Sequence, residues 1–145
     1  MIIGLILATA ACASSAPRDE QDVQNTVASF VSGLEHLDAA AVVAPFSEDA
    51  TAFFPDSANQ ASRVEGKQAI EAVFRRFFDE LRRNGTTSMT LRPMYMCLNL
   101  AGEAAVVTFH LRGGTTISRR TLVLRRRAGT WRIIHLHASN SQFVS

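Results

Sequence analysis

Apolar side chains recur every three or four residues through the first half of the chain and alternate with polar ones through the second. The pattern predicts helices first and strands afterwards. Val23, Val27, Phe30, Val31, Leu34 and Leu37 form one stripe behind Asp19, Glu20 and Asp22, predicting a long amphipathic helix over 19–37 with carboxylates at the end where the helix dipole favours them. Asp38 can cap a short helix over 39–44, which Pro45 ends. Residues 51–54 suit a short strand, and 55–65 hold turn formers without periodicity, a loop that could act as a lid beside a pocket. A third helix is expected over 67–83, its inner stripe made by Ala69, Ile70, Val73, Phe74, Phe77, Phe78 and Leu81 and its end marked by Asn84-Gly85. Beyond Gly85 four strands are expected, 88–99, 103–112, 115–127 and 130–139. The hairpin-turn signals Ala101-Gly102, Gly113-Gly114 and Ala128-Gly129 separate them. Helices followed by an antiparallel meander define an α+β domain.

At 145 residues the chain suits one such domain, and with 47% apolar residues it can build a core. The net charge of +2 hides an asymmetry, because ten of the fifteen Lys and Arg residues are arginines from Arg82 onward, where the only acidic residue is Glu103. A basic sheet could attract nucleic acid, but these arginines alternate with apolar residues as outward strand positions do. No aromatic platform is interleaved to stack bases, so no nucleic-acid partner is expected. The run Met1 to Cys12 is apolar and uncharged, too short to span a bilayer, and followed by small residues, which reads as a secretory leader over 1–16 ahead of a domain over 19–145. Thr9-Ala10-Ala11-Cys12 also resembles a bacterial lipobox, so export is expected, with Cys12 the one candidate for a lipid anchor to the membrane. Cys97 then remains as a lone thiol in a strand, expected to be buried in an ordinary core role.

Four segments in order resemble a known family: Leu37-Asp38 before a short helix, Phe46-Ser47-Glu48-Asp49-Ala50-Thr51 leading into a strand, Val64-Glu65-Gly66-Lys67-Gln68-Ala69-Ile70 opening a helix, and Trp131-Arg132-Ile133-Ile134-His135-Leu136-His137-Ala138-Ser139 as a last strand. Together they are similar to the nuclear transport factor 2-like superfamily, in particular its SnoaL-like members and the association domain of calcium/calmodulin-dependent kinase II. The resemblance implies a cone-shaped roll, in which a curved antiparallel sheet wraps around three helices and its concave face lines a pocket. It also implies that the outer face mates with a second subunit. Comparison with ketosteroid isomerase then places Thr108, His110, Leu122, Leu124, Ile134, Leu136 and Ala138 inside. It places Val107, Phe109, Leu111, Trp131, Ile133, His135, His137 and Ser139 outside.

The isomerase constellation does not carry over, since Phe54, Phe30 and Leu122 stand where its base, tyrosine and second acid would be. Pocket arginines of the kinase association domain map to His110, Leu122 and Ala138. His110 remains as the interior polar candidate for acid–base work, with Tyr95 and Asp56 as companions and Arg112 able to hold an acidic group; the competing reading is a core histidine satisfied by a neighbouring hydroxyl such as that of Thr108. The reading is therefore a small-molecule-binding domain with a mostly apolar pocket of Phe30, Phe54, Phe74, Phe77, Tyr95, Thr108, His110, Arg112, Leu122, Leu124, Leu136 and Ala138. An isomerase, dehydratase or cyclase using His110 is the alternative, and a homo-oligomeric association module a further one. Trp131, Ile133, His135 and His137 are expected at a homodimer interface. His135 and His137 lack the further ligands a metal site needs, and no phosphate-binding glycine loop or nucleophile elbow is present, so neither metal nor cofactor is expected.

Overall fold

The stripe of Val23, Val27, Phe30, Val31 and Leu34 does form one face of a helix, and all five residues are buried. A computed structural model describes residues 16–55 and 63–141. The expected leader with Cys12, Asp56 and most of the expected lid, and residues 142–145 lie outside the described residues. Helix α1 spans Ala16–Glu35, α2 Ala39–Val43 and α3 Lys67–Arg83. Leu37 turns the chain out of α1 with a φ of 54°, and the Asp38 carboxylate accepts from the Ala41 amide at 3.0 Å to cap α2. The two helices meet at Gly33, where an added Cβ would stand 2.6 Å from the Val42 nitrogen, so only glycine admits this approach.

The strands are β1 (Phe46–Phe53), β2 (Val64–Glu65), β3 (Arg92–Ala101), β4 (Ala104–Gly113), β5 (Thr116–Arg127) and β6 (Thr130–Ser141). They form one curved, unclosed sheet in the order β2-β1-β6-β5-β4-β3. Every neighbouring pair is antiparallel except β1 and β6, which run parallel. The meander β3 to β6 follows the hairpin signals, with both Ala128 and Gly129 at positive φ in the last turn (48° and 76°). β1 is longer than expected, and its parallel seat beside β6 had no local signal. Helices α1 and α3 both pack on α2, and against the sheet α3 meets β1 and β2 while α1 meets β6 and β3, so the helices cover one face of the sheet.

Two expectations about that face are corrected. On β4 the buried residues are Ala105, Val107, Phe109 and Leu111, while Thr108 and Arg112 are exposed and His110 is half-buried. The strand therefore sits in the opposite register to the one the isomerase comparison implied. An apolar row of Val107, Phe109 and Leu111 gains more from burial than Thr108, His110 and Arg112 would, and that difference sets the face. On β6, Leu136 pairs with Leu122 but Ile133 pairs with Leu124, so a bulge holds an extra residue between them. The bulge turns Trp131 and Ile133 to the same buried face as Leu136 and Ala138, and leaves Ile134 and His137 on the other. Trp131 and Ile133, expected at an outer dimer interface, are core residues, and Cys97, expected to be buried, is exposed on the edge strand β3.

Candidate ligand site on the concave face

The expected pocket lining divides into four groups. Phe30, Leu122, Leu124 and Leu136 have no exposed surface, so they are closed core and leave no room for a ligand beside them. Phe30 packs at 6.1 Å from Phe46 and at 6.3 Å, edge-on, from Phe74, which fills this part of the cone with aromatic side chains. Phe77 leaves the inner stripe of α3 and is 46% exposed. Thr108, His110, Arg112 and Tyr95 belong to the outer face or its edge. Tyr95 is 81% exposed, at positive φ in a bulge of β3, with its ring 5.6 Å from that of His110. The two residues expected to work together are indeed neighbours, but outside the cone. Phe54, Phe74 and Ala138 remain on the concave side. Phe54 is half-buried and edge-on to Phe74 at 5.3 Å, and Ala138 is buried.

Beside them stands a residue the sequence reading did not single out. Arg120 pairs with Phe109 on β4 and with Ala138 on β6, two buried residues, so its side chain leaves the sheet on the concave face. Its Nη1 donates to the Arg119 carbonyl at 3.0 Å and to the Ser139 carbonyl at 3.5 Å. Among the described residues no carboxylate forms an ion pair with it. Burial pushes the guanidinium down to about 10, still protonated at neutral pH. The signal was available: in Ser118-Arg119-Arg120-Thr121-Leu122 the alternation that puts Leu122 inside also puts Arg120 inside.

The same face carries a second arginine in a different setting. Arg126 donates to Asp19 of α1 at 2.8 Å and lies 3.8 Å from Glu103. The Trp131 indole N–H donates to the same Asp19 oxygen at 3.2 Å, and the Arg126 guanidinium stands 6.0 Å from the Trp131 ring. This buried cluster fastens the first turn of α1 to β5 and β6. On β5 the neighbouring Arg127 takes Asp49, whose carboxyl it holds below the usual carboxylate range with help from the Ser47 hydroxyl.

On the outer face, His135 Nδ1 and the Thr51 hydroxyl are 2.8 Å apart, and the Phe53 ring lies 5.6 Å from His135 and 6.0 Å from His137. Desolvation, then the charges of His137 and Arg63, push His135 below its ordinary pKa. A separate cleft of about 370 Å³ opens between the helices, lined by His36, Asp38, Glu71, Arg75 and Arg82 among others, away from the concave face. Among the described residues no three His, Cys, Asp or Glu side chains stand close enough to hold a metal ion. No described helix is long and apolar enough to cross a membrane.

This order of three helices and a curved sheet is that of the nuclear transport factor 2-like superfamily, and within it the family model for the SnoaL-like domain matches residues 23–143. The chain belongs to the SnoaL-like family. Among solved structures it is similar to a nuclear transport factor 2-like protein of unknown function from Pseudomonas putida KT2440, with 22% identity, a TM-score of 0.75, and 89% of this chain covering 91% of that one. A protein assigned as a dehydratase of the same superfamily, from Streptomyces avermitilis, matches with 15% identity, a TM-score of 0.69, and coverage of 88% and 99%. One assigned as a calcium/calmodulin-dependent protein kinase type II association domain, from Thiobacillus denitrificans, matches with 19% identity, a TM-score of 0.64, and coverage of 82% and 94%. At these identities the likeness is one of fold. No curated protein matches the chain significantly.

Proposed function

We propose that this SnoaL-like domain binds a small amphipathic molecule at the Arg120 row of the concave face, with the deeper part of the cone serving as closed core. One observation supports the reading. A guanidinium whose Nε and Nη2 have no acceptor among the described residues stands across the strands from Phe109 and Ala138, on the concave side that also carries Phe54 and Phe74, which is the combination of apolar wall and few orienting polar groups found in ligand pockets. The acid–base alternative loses its support, because His110 stands on the outer face, away from this row. Native mass spectrometry of the purified chain, followed by titration with the uncharged dye N-phenyl-1-naphthylamine, tests the proposal. A copurified molecule, or a saturable fluorescence rise that Ala138→Trp abolishes, is expected; neither signal from the wild type removes the reading.

A second reading, self-association through the outer face, rests on Phe53 and Val106, each 37% exposed, and on Tyr95. It no longer involves Trp131 or Ile133. His135 and His137 would lie beside such a contact with a second copy of the chain.

A further inference from the structure

Arg120 is the one place on the concave face where the fold leaves a charge without an internal answer among the described residues, and its surroundings limit what can answer it. Its neighbours along the strand on that face are Ser118 and Leu122, both buried. The Ser118 hydroxyl is already committed to the Leu111 carbonyl at 3.2 Å. Across the strands stand Phe109 and Ala138. No side chain of this row competes for the guanidinium, and none offers a negative charge.

The way Arg120 is held matters as much as what it lacks. Both of its hydrogen bonds use Nη1, which donates to the carbonyls of Arg119 and Ser139. Two carbonyl dipoles anchor one corner of a planar group. The edge formed by Nε and Nη2 has no acceptor among the described residues, and that edge presents two parallel N–H groups at the spacing of the two oxygens of a carboxylate. Arginine keeps its proton at neutral pH even here, where burial brings it to about 10, so the charge persists in a setting that disfavours it. An anion arriving at that edge would exchange an uncompensated charge for a bidentate pair.

We infer that the ligand of this site carries an acid group, a carboxylate or an anion of similar geometry, that docks on the Nε–Nη2 edge of Arg120 while its apolar body lies toward Phe54 and Phe74. The inference rests on the binding function proposed above and adds the chemical class of the ligand. An aromatic or alkyl acid fits this description; a neutral sterol or an uncharged ester does not use the edge at all.

Two dyes that share an anilinonaphthalene body separate the two claims. One is anionic 8-anilinonaphthalene-1-sulfonate, the other uncharged N-phenyl-1-naphthylamine. The wild-type chain is expected to bind both saturably. Arg120→Met should weaken the sulfonate by about ten-fold or more while leaving the uncharged dye within about two-fold, and Arg120→Lys, which returns the charge without the planar edge, should restore only part of the loss. Ala138→Asp, which places a carboxylate opposite Arg120 in the sheet, should repel the sulfonate selectively in the same way. The ratio between the two dyes is the readout in variants whose far-ultraviolet circular dichroism matches the wild type, and should Arg120→Met misfold, Ala138→Asp decides. Equal effects on the two dyes in Arg120→Met, no effect on either, or sulfonate binding that survives Ala138→Trp and therefore sits on the basic outer face, would each overturn the acid-ligand inference while leaving apolar binding intact. If neither dye binds the wild type, the proposed function fails and the inference falls with it.

Discussion

Arg120 and Arg126 lie on the same strand and the same face of the sheet, yet the fold treats them oppositely. Arg126 meets Asp19, which reaches it from the first turn of α1 and is itself held by the Trp131 indole. Every part of that cluster comes from a different element, so the charge serves as a fastener between the helix layer and the sheet. Arg120 meets only backbone carbonyls among the described residues. A buried ion pair is seldom a large gain in stability, but breaking one is costly. A buried charge with no partner is a cost the fold carries, and such costs gather at sites that bind. The comparison separates an arginine that holds the structure together from one that is available to a ligand.

The largest effect expected is at the fastened end. Asp19→Ala leaves both the Arg126 guanidinium and the Trp131 N–H without their acceptor, and should lower the unfolding free energy by roughly 2–4 kcal/mol in urea denaturation. A loss under about 1 kcal/mol would mean that water serves Arg126 as well as Asp19 does, and the contrast would collapse. At the other end the sign should reverse. Arg120→Met keeps an unbranched apolar stem and removes the charged guanidinium head, so stability should stay level or rise by about 1 kcal/mol, at the expense of binding. A loss as large as that of Asp19→Ala would show Arg120 to be a second fastener.

The smallest effect concerns the outer face, where apolar and titrating groups are mixed. Sedimentation of the domain at micromolar concentration should give a dimer at pH 7.5 that Phe53→Glu dissociates. His135 has its folded pKa lowered by burial and by His137 and Arg63, so it is neutral at pH 7.5. The unfolded chain takes up that proton first, and stability that is complete above pH about 6.5 is lost as the pH falls through the lower, folded value. The loss is a small one because the ring is only partly buried, and in a dimer it should show as association that weakens as the pH falls below about 6.5. A monomer at pH 7.5 would end the self-association reading, and a dimer indifferent to pH would end only the part played by the histidine.

Most of the fold was legible in the order of the residues. The stripe from Val23 to Leu37, the cap at Asp38, the bounds of α3 and the turns at Gly102, Gly114 and Gly129 are local matters, decided by side-chain period and backbone preference within a few positions. The site was less legible, and the misreadings have particular causes. On β4 the alternation itself pointed to Val107, Phe109 and Leu111 as the buried set, but an aligned relative suggested the other register. On β6 the consecutive pair Ile133-Ile134 marks the bulge, and without it every residue before that point is assigned to the wrong face.

The sequence by itself determined which segments coil, which extend, and that one arginine of Arg119-Arg120 must face inward, because each of these follows from periods of 3.6 and 2 residues and from the chemistry of single side chains. Only the tertiary structure decided that Asp19 answers Arg126, far along the chain, and that Arg120 is left to carbonyls. It also set β1 beside β6 in parallel, which pairs Phe53 with His137, next along β6 to the Ala138 that faces Arg120. Partners of that kind are chosen by where whole layers come to rest, and no local pattern encodes the distance between them.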